Sequence, residues 1–187
     1  MAGWPVDLSG ITESVVTTRG PEGRWNVAAL GLHAGDPVTA RTWGSTRTRR
    51  NFERTGEGFV QFTRDPVTFV EAALSVREVD QPVLPDADAW VRVAAERVEA
   101  GESGGTPWVD WRLTPEESGV ECEVVPTVNR GYNAVVEATV AASRLDVADY
   151  DEEPLRERLD YLEGVARRCG GAREQEAFDR LNALVDR

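Results

Sequence analysis

The densest concentration of side chains able to do chemistry lies at residues 37–52, PVTARTWGSTRTRRNF. The stretch holds Arg41, Arg47, Arg49 and Arg50 together with Thr42, Ser45, Thr46 and Thr48, and it contains no acid. It falls where a strand gives way to a short helix. Arginines in the first turns of a helix oppose the macrodipole, at a cost of roughly 0.3 kcal/mol or more each. A bound anion reverses that sign, because helix N-terminal amides, hydroxyls and guanidinium groups all converge on phosphate. The same residues also read as an exposed basic face bridging to surface carboxylates. On composition and spacing alone both readings stand.

The remaining residues exclude more chemistry than they offer. His33 is the one histidine, so a three-histidine metal site within one chain is ruled out. Cys122 and Cys169 stand far apart without companion pairs, which argues against zinc clusters and a disulfide framework. Cys122 alternates with Glu121 and Glu123 and is expected to be a small core residue. No GxGxxG, Walker loop, GxSxG or HExxH occurs, and no acid, base or nucleophile stands out. His33 either faces a site or is a surface histidine. Glu13 shares a strand face with Ile11 and Val15, which places it beside an arginine or at a barrel mouth.

Charge narrows the partners. Acids outnumber bases 33 to 21, for a net charge of -12, and every base is an arginine. Such a chain repels nucleic acid and anionic membrane. It suits the salt-rich cytoplasm of a halophile, where screening softens self-repulsion, and a GC-rich genome writing Arg for Lys gives the same composition. The 187 residues, 41% of them hydrophobic, make one ordinary domain or one domain with an appendage. No run approaches the roughly 18 to 20 apolar residues of a membrane span, and the N-terminus has no signal region, so a cytoplasmic protein is expected.

These residues need elements to position them. Residues 11–18 and 25–32 are strands around the turn-rich Arg19-Gly-Pro-Glu-Gly23, which predicts a β-hairpin. A strand over 38–43 stops at Gly44, and Ser45 caps a helix that ends at Gly56. A strand covers 58–63, and Asp65-Pro66 starts a second helix with Val67, Val70 and Leu74 on one face. Residues 81–89 are a loop, 90–100 a strand with a bulge near Val98, and 120–124 a short strand with Cys122 inward. Helical periodicity begins at Tyr132 (Val135, Val136, Thr139, Val140, Ser143). It continues through Leu155, Leu159, Leu162, Ala166 and Cys169, and after Gly170-Gly171 through Phe178, Leu181, Leu184 and Val185. Six or so antiparallel strands followed by helices predict an α+β protein, mainly β, with a barrel and a C-terminal helical lobe.

The runs ITESVVTT (11–18), NVAALGL (26–32), GSTRTRRNF (44–52), VQFTRD (60–65) and NRGYNAVVE (129–137) together resemble the archaeal domain of unknown function 447 family. The likeness is in register and nearly full length. That family is similar to flavin-reductase-like proteins, which implies an antiparallel split β-barrel over residues 1–130, a helical lobe over 131–187, bound FMN and a homodimer. It further implies an FMN-dependent oxidoreductase with a small-molecule redox partner, or else a non-enzymatic flavin carrier. A structural or interaction protein is the remaining alternative. Carried over by residue, the resemblance lays the backbone of Asn26, Ala29, Leu30 and Gly31 along the flavin ring. Ser45, Thr46, Arg47, Thr48 and Asn51 become the phosphate cradle. Ala29 replaces a proline usual in the family, and Gln61 stands where an asparagine is usual, so ring contacts are expected to differ. Any of Trp25, Trp43, Trp108 and Trp111 is available to wall an apolar slot. Asn129 and Arg130 match a motif to which no role is assigned.

Overall fold

A computed structural model describes residues 3–185. The β-rich part runs β1 (Ile11–Arg19), β2 (Trp25–His33), β3 (Thr39–Trp43), α1 (Arg47–Thr55), β4 (Glu57–Phe62), α2 (Pro66–Leu74), β5 (Arg77–Val79), β6 (Ala89–Ser103) and β7 (Thr106–Val120). Three helices follow, α3 (Arg130–Ala142), α4 (Glu152–Cys169) and α5 (Ala172–Val185). The strands pair antiparallel in the order β1-β4-β6-β7-β3-β2, and β1 pairs again with β2, so six strands close into a barrel. β5 adds to the free edge of β2. The hairpin anticipated at residues 11–32 is present, with Ile11 opposite His33 and Arg19 opposite Trp25.

Alternation builds the barrel core. Val16 of β1, Leu30 and Leu32 of β2, Val60 of β4, Val91 and Val93 of β6, and Val109, Trp111 and Leu113 of β7 point inward. Helix α1 is pinned to this core by Phe52, whose ring tilts against Trp111 at 5.2 Å. Trp111 is 2% exposed and its indole N–H donates to the Thr42 hydroxyl at 2.9 Å. Between β5 and β3 the outer edge of β2 is bare: β5 pairs with Trp25, Asn26 and Val27, β3 with Leu32 and His33, and among the described residues no strand pairs with 28–31 on that side.

Several expectations are corrected. The strand placed at 120–124 is the end of the much longer β7, so Cys122 lies beyond it and is exposed, not in the core. β7 hides from a sequence reading behind Pro107 and Pro115. Pro115 is tolerated because a register shift at Arg92/Val93 leaves Glu116 unopposed beside it. The bulge expected near Val98 is there, between Arg97 and Glu99. Cys169 is also exposed, and Val165 replaces it on the buried face of α4. The cap of α1 is Thr46, not Ser45, and its hydroxyl accepts the Arg49 amide at 3.3 Å.

The chain divides into two compact units, residues 1–64 with 77–123, and residues 65–76 with 124–187. A boundary at residue 130 gives α2 to the barrel, whereas α2 packs with α3 and α5. Asp65 caps α2 as anticipated, accepting the amides of Val67 and Thr68 at 2.8 and 3.0 Å. The helical unit has its own core, including Val70, Val135, Ala138, Ala166, Phe178 and Leu181. Asn129 acquires a role here. Its Oδ1 accepts the Gly131 and Tyr132 amides, and its Nδ2 donates to Glu174, which in turn accepts the Gly171 amide at 2.7 Å. One side-chain pair thus caps the starts of both α3 and α5.

Candidate binding cleft at the start of α1

In α1, Thr48, Asn51 and Phe52 are buried and Arg47 and Arg50 face out on the opposite side. Helical spacing therefore separates anchors from cations. The outward side meets the β1–β2 turn and β5 to form a cleft of about 370 Å³, lined by Gly20, Pro21, Glu22, Arg24, Asn26, Arg47, Arg50, Asn51 and Glu78. Three guanidinium groups face two carboxylates there, a local excess of positive charge in a chain of net charge -12. Such a volume lies at the lower end of small-molecule sites.

Asn26 is the most telling residue of the lining. It is 5% exposed, and its side-chain amide has no hydrogen-bond partner among the described residues. Its amide atoms open onto the cleft, where solvent meets them, and they stand ready to exchange that water for a polar group of a ligand. Asn51, also buried, is partly spent: its Nδ2 donates to the Thr18 hydroxyl at 3.0 Å. Arg47 Nη1 donates to Glu78 Oε1 at 2.7 Å, and Arg50 Nη1 to the Ser45 carbonyl at 2.9 Å. Arg24 donates to the Glu78 carbonyl at 2.9 Å and stands 3.3 Å from Asp80.

Of the expected site residues, the fold brings Asn26, Arg47 and Asn51 together. Ser45 and Thr46 are exposed at the helix start but do not line the cleft, and Thr48 is buried on the anchoring face. Ala29, Leu30 and Gly31 lie further along β2 on its bare edge, with Glu13 exposed opposite Gly31. Gln61 is elsewhere, held inside the barrel unit. It is 1% exposed, donates to Thr17 and to the Pro82 carbonyl, and accepts the Leu84 amide at 2.6 Å. It anchors the loop over 81–88, with both N–H donors spent inside the chain. His33 is exposed at the end of β2.

The four arginines that are neighbours in sequence part in space. Arg41 makes two hydrogen bonds to Asp110, at 2.6 and 2.7 Å, and stacks 3.9 Å from the Trp108 ring. The guanidinium holds the Asp110 carboxyl below the usual carboxylate range, and the carboxylate raises Arg41 in return. Arg49 turns to Glu53 and the Gly44 carbonyl. No tryptophan lines the cleft, Trp111 being core and Trp108 covered by Arg41. Arg24 and Glu78 are the members the sequence reading missed. Arg24 belongs to a stretch legible only as a turn, and Glu78 sits on a strand of three residues, too short for any period to show.

Among the described residues, no helix is long and apolar enough to cross a membrane, and no group of acids, cysteines or histidine is placed to hold a metal ion. The family model described as the N-terminal domain of a protein of unknown function (DUF447) matches residues 12–122, and a second DUF447 model matches 129–183. Among solved structures, the chain is similar to an FMN-bound DUF447 protein from Methanosarcina mazei. The two are 26% identical with a TM-score of 0.82, over 95% of this chain and 96% of that one. More distant likeness extends to the styrene monooxygenase flavin reductase of Pseudomonas putida S12, at 18% identity and a TM-score of 0.43, over 61% of this chain and 82% of that one. An FMN-binding protein from Thermus thermophilus stands at 18% and 0.42, over 65% and 80%.

Proposed function

We propose that this chain, which belongs to the DUF447 family, binds flavin mononucleotide (FMN) by its phosphate in the cleft at the start of α1. The observation that carries this reading is the cleft itself: the side-chain amide of Asn26, without a partner inside the chain and open to the cleft, flanked by Arg24, Arg47 and Arg50. The donor set fits a phosphate ester, because guanidinium groups match its oxygens and its dianion offsets the arginines of the first helical turn. The Methanosarcina mazei relative, similar over almost the whole chain, is FMN-bound. The bare edge of β2 at 28–31 continues from Asn26 and offers backbone N–H and C=O groups to the polar rim of a flat ring.

FMN supplies one- and two-electron redox chemistry that needs no protein acid or base. In the fuller form of this reading the protein is a cytoplasmic homodimer and a flavin-dependent oxidoreductase, reduced by a nicotinamide nucleotide and passing electrons to a small acceptor. The chain's own part is to bind and orient: Arg24, Arg47 and Arg50 hold the phosphate, and Asn26 satisfies its amide on the ligand.

The purified protein is expected to be yellow, or to take up added FMN, with pigment released on denaturation and identified by mass. Asn26→Ala and Arg47→Ala should each weaken FMN about tenfold, judged by flavin fluorescence titration. A folded, colourless protein that takes up no FMN refutes the reading. FMN-dependent NADH or NADPH oxidation tests the oxidoreductase form, and tight binding without turnover replaces it with a carrier.

A further inference from the structure

We infer that Glu78 is a built-in competitor for the cleft's anion site, an intramolecular counter-ion that a phosphate ligand must displace from Arg47; the inference rests on the FMN reading and extends it to what sets affinity and selectivity. The first turn of α1 contains no acid, so Arg47 has no counter-ion from its own helix. The acid comes from β5, whose register sets Glu78 opposite Asn26 at the edge of the cleft. Its carboxylate accepts from Arg47 at 2.7 Å, while Arg24 holds only the Glu78 backbone carbonyl. The backbone is therefore fixed and the carboxylate is free to swing.

Both side chains are substantially exposed, 45% for Arg47 and 34% for Glu78, so the pair is of the weak, screened kind. A phosphate dianion brings twice the charge and more acceptor oxygens than one carboxylate, and it wins Arg47. Glu78 must then leave, because a carboxylate beside a phosphate is repelled. An incoming carboxylate ligand only trades like for like. The ion pair thus filters anions: dianionic phosphate esters enter, carboxylates gain nothing, and affinity stays low enough for exchange. The empty protein gains as well, since Glu78 neutralises one of three arginines crowded in a first helical turn.

The test uses the full chain stripped of flavin, titrated with FMN, riboflavin and inorganic phosphate. Glu78→Gln keeps the side-chain size and removes the charge. It should tighten FMN and phosphate about fivefold and leave riboflavin unchanged. In an Arg47→Ala background the same substitution should change FMN affinity less than twofold, which a merely structural role for Glu78 would not produce. Unchanged or weaker FMN binding in Glu78→Gln, in a wild type that binds FMN, overturns this inference and leaves the FMN reading standing. A folded wild type that binds neither FMN nor phosphate overturns both.

Discussion

Arg41 and Asp110 face each other across β3 and β7, joined by two hydrogen bonds and roofed by Trp108. With both side chains partly exposed, the pair is worth about 1 kcal/mol after solvent screening. The Asp110 carboxyl is lowered in the folded state, so its contribution is fully present above the unfolded aspartate value of about 3.9 and is lost as pH falls through the lower folded value. Asp110→Asn should therefore cost about 1 kcal/mol in urea unfolding at pH 7, and the gap from wild type should shrink toward pH 3. A gap that persists in acid would assign the loss to packing. The pair also shows why the arginine cluster was only half legible. Four arginines within ten residues are visible in sequence, but the two-residue period of β3 sends Arg41 to the barrel's outer face. The 3.6-residue period of α1 divides the rest between the cleft and Glu53. Asn26 was legible through the family likeness; that its amide would open onto a cleft between the β1–β2 turn, α1 and β5 was not.

Helix ends were the most readable elements, because capping is local chemistry. Asp65-Pro66 and Gly56 do what their types predict, with Gly56 at φ 67° in the left-handed region. Pairing across the sheet is not local, and β5 and β7 went unseen for that reason. The crossing of α3 with the end of α4 was equally invisible. A Cβ on Gly131 would stand 2.3 Å from the Gly170 Cα, so the two backbones touch. Gly131→Ala has backbone to displace and no flexible side chain to push aside. It should lower stability by about 2–3 kcal/mol in chemical denaturation, with the loss concentrated in helical signal. A loss below 0.5 kcal/mol would mean that the crossing is slack.

At the scale of the molecule, 33 acids against 21 arginines leave twelve negative charges without a counterpart, and the cleft is a local reversal of that field. Salt acts on the two in opposite directions. Screening relieves the global repulsion, so the melting temperature of the flavin-free protein should rise between roughly 0.1 and 2 M KCl; the same screening weakens attraction of a dianion, so FMN affinity should fall over that range. Parallel trends in the two quantities would show that surface ion pairs, not net repulsion, dominate stability. The path of the chain has another consequence. The two family models meet between residues 122 and 129, yet residues 65–76 leave the barrel segment to join α3 and α5. The polypeptide is threaded like a lace through two eyelets, and no single cut separates its halves. A gene trimmed after β7 would still encode α2, with Val67, Val70 and Leu74 stripped of company, and a transplanted tail would lack one of its own walls. A single cleavage in any linker therefore leaves at least one of the two units short of an element it needs.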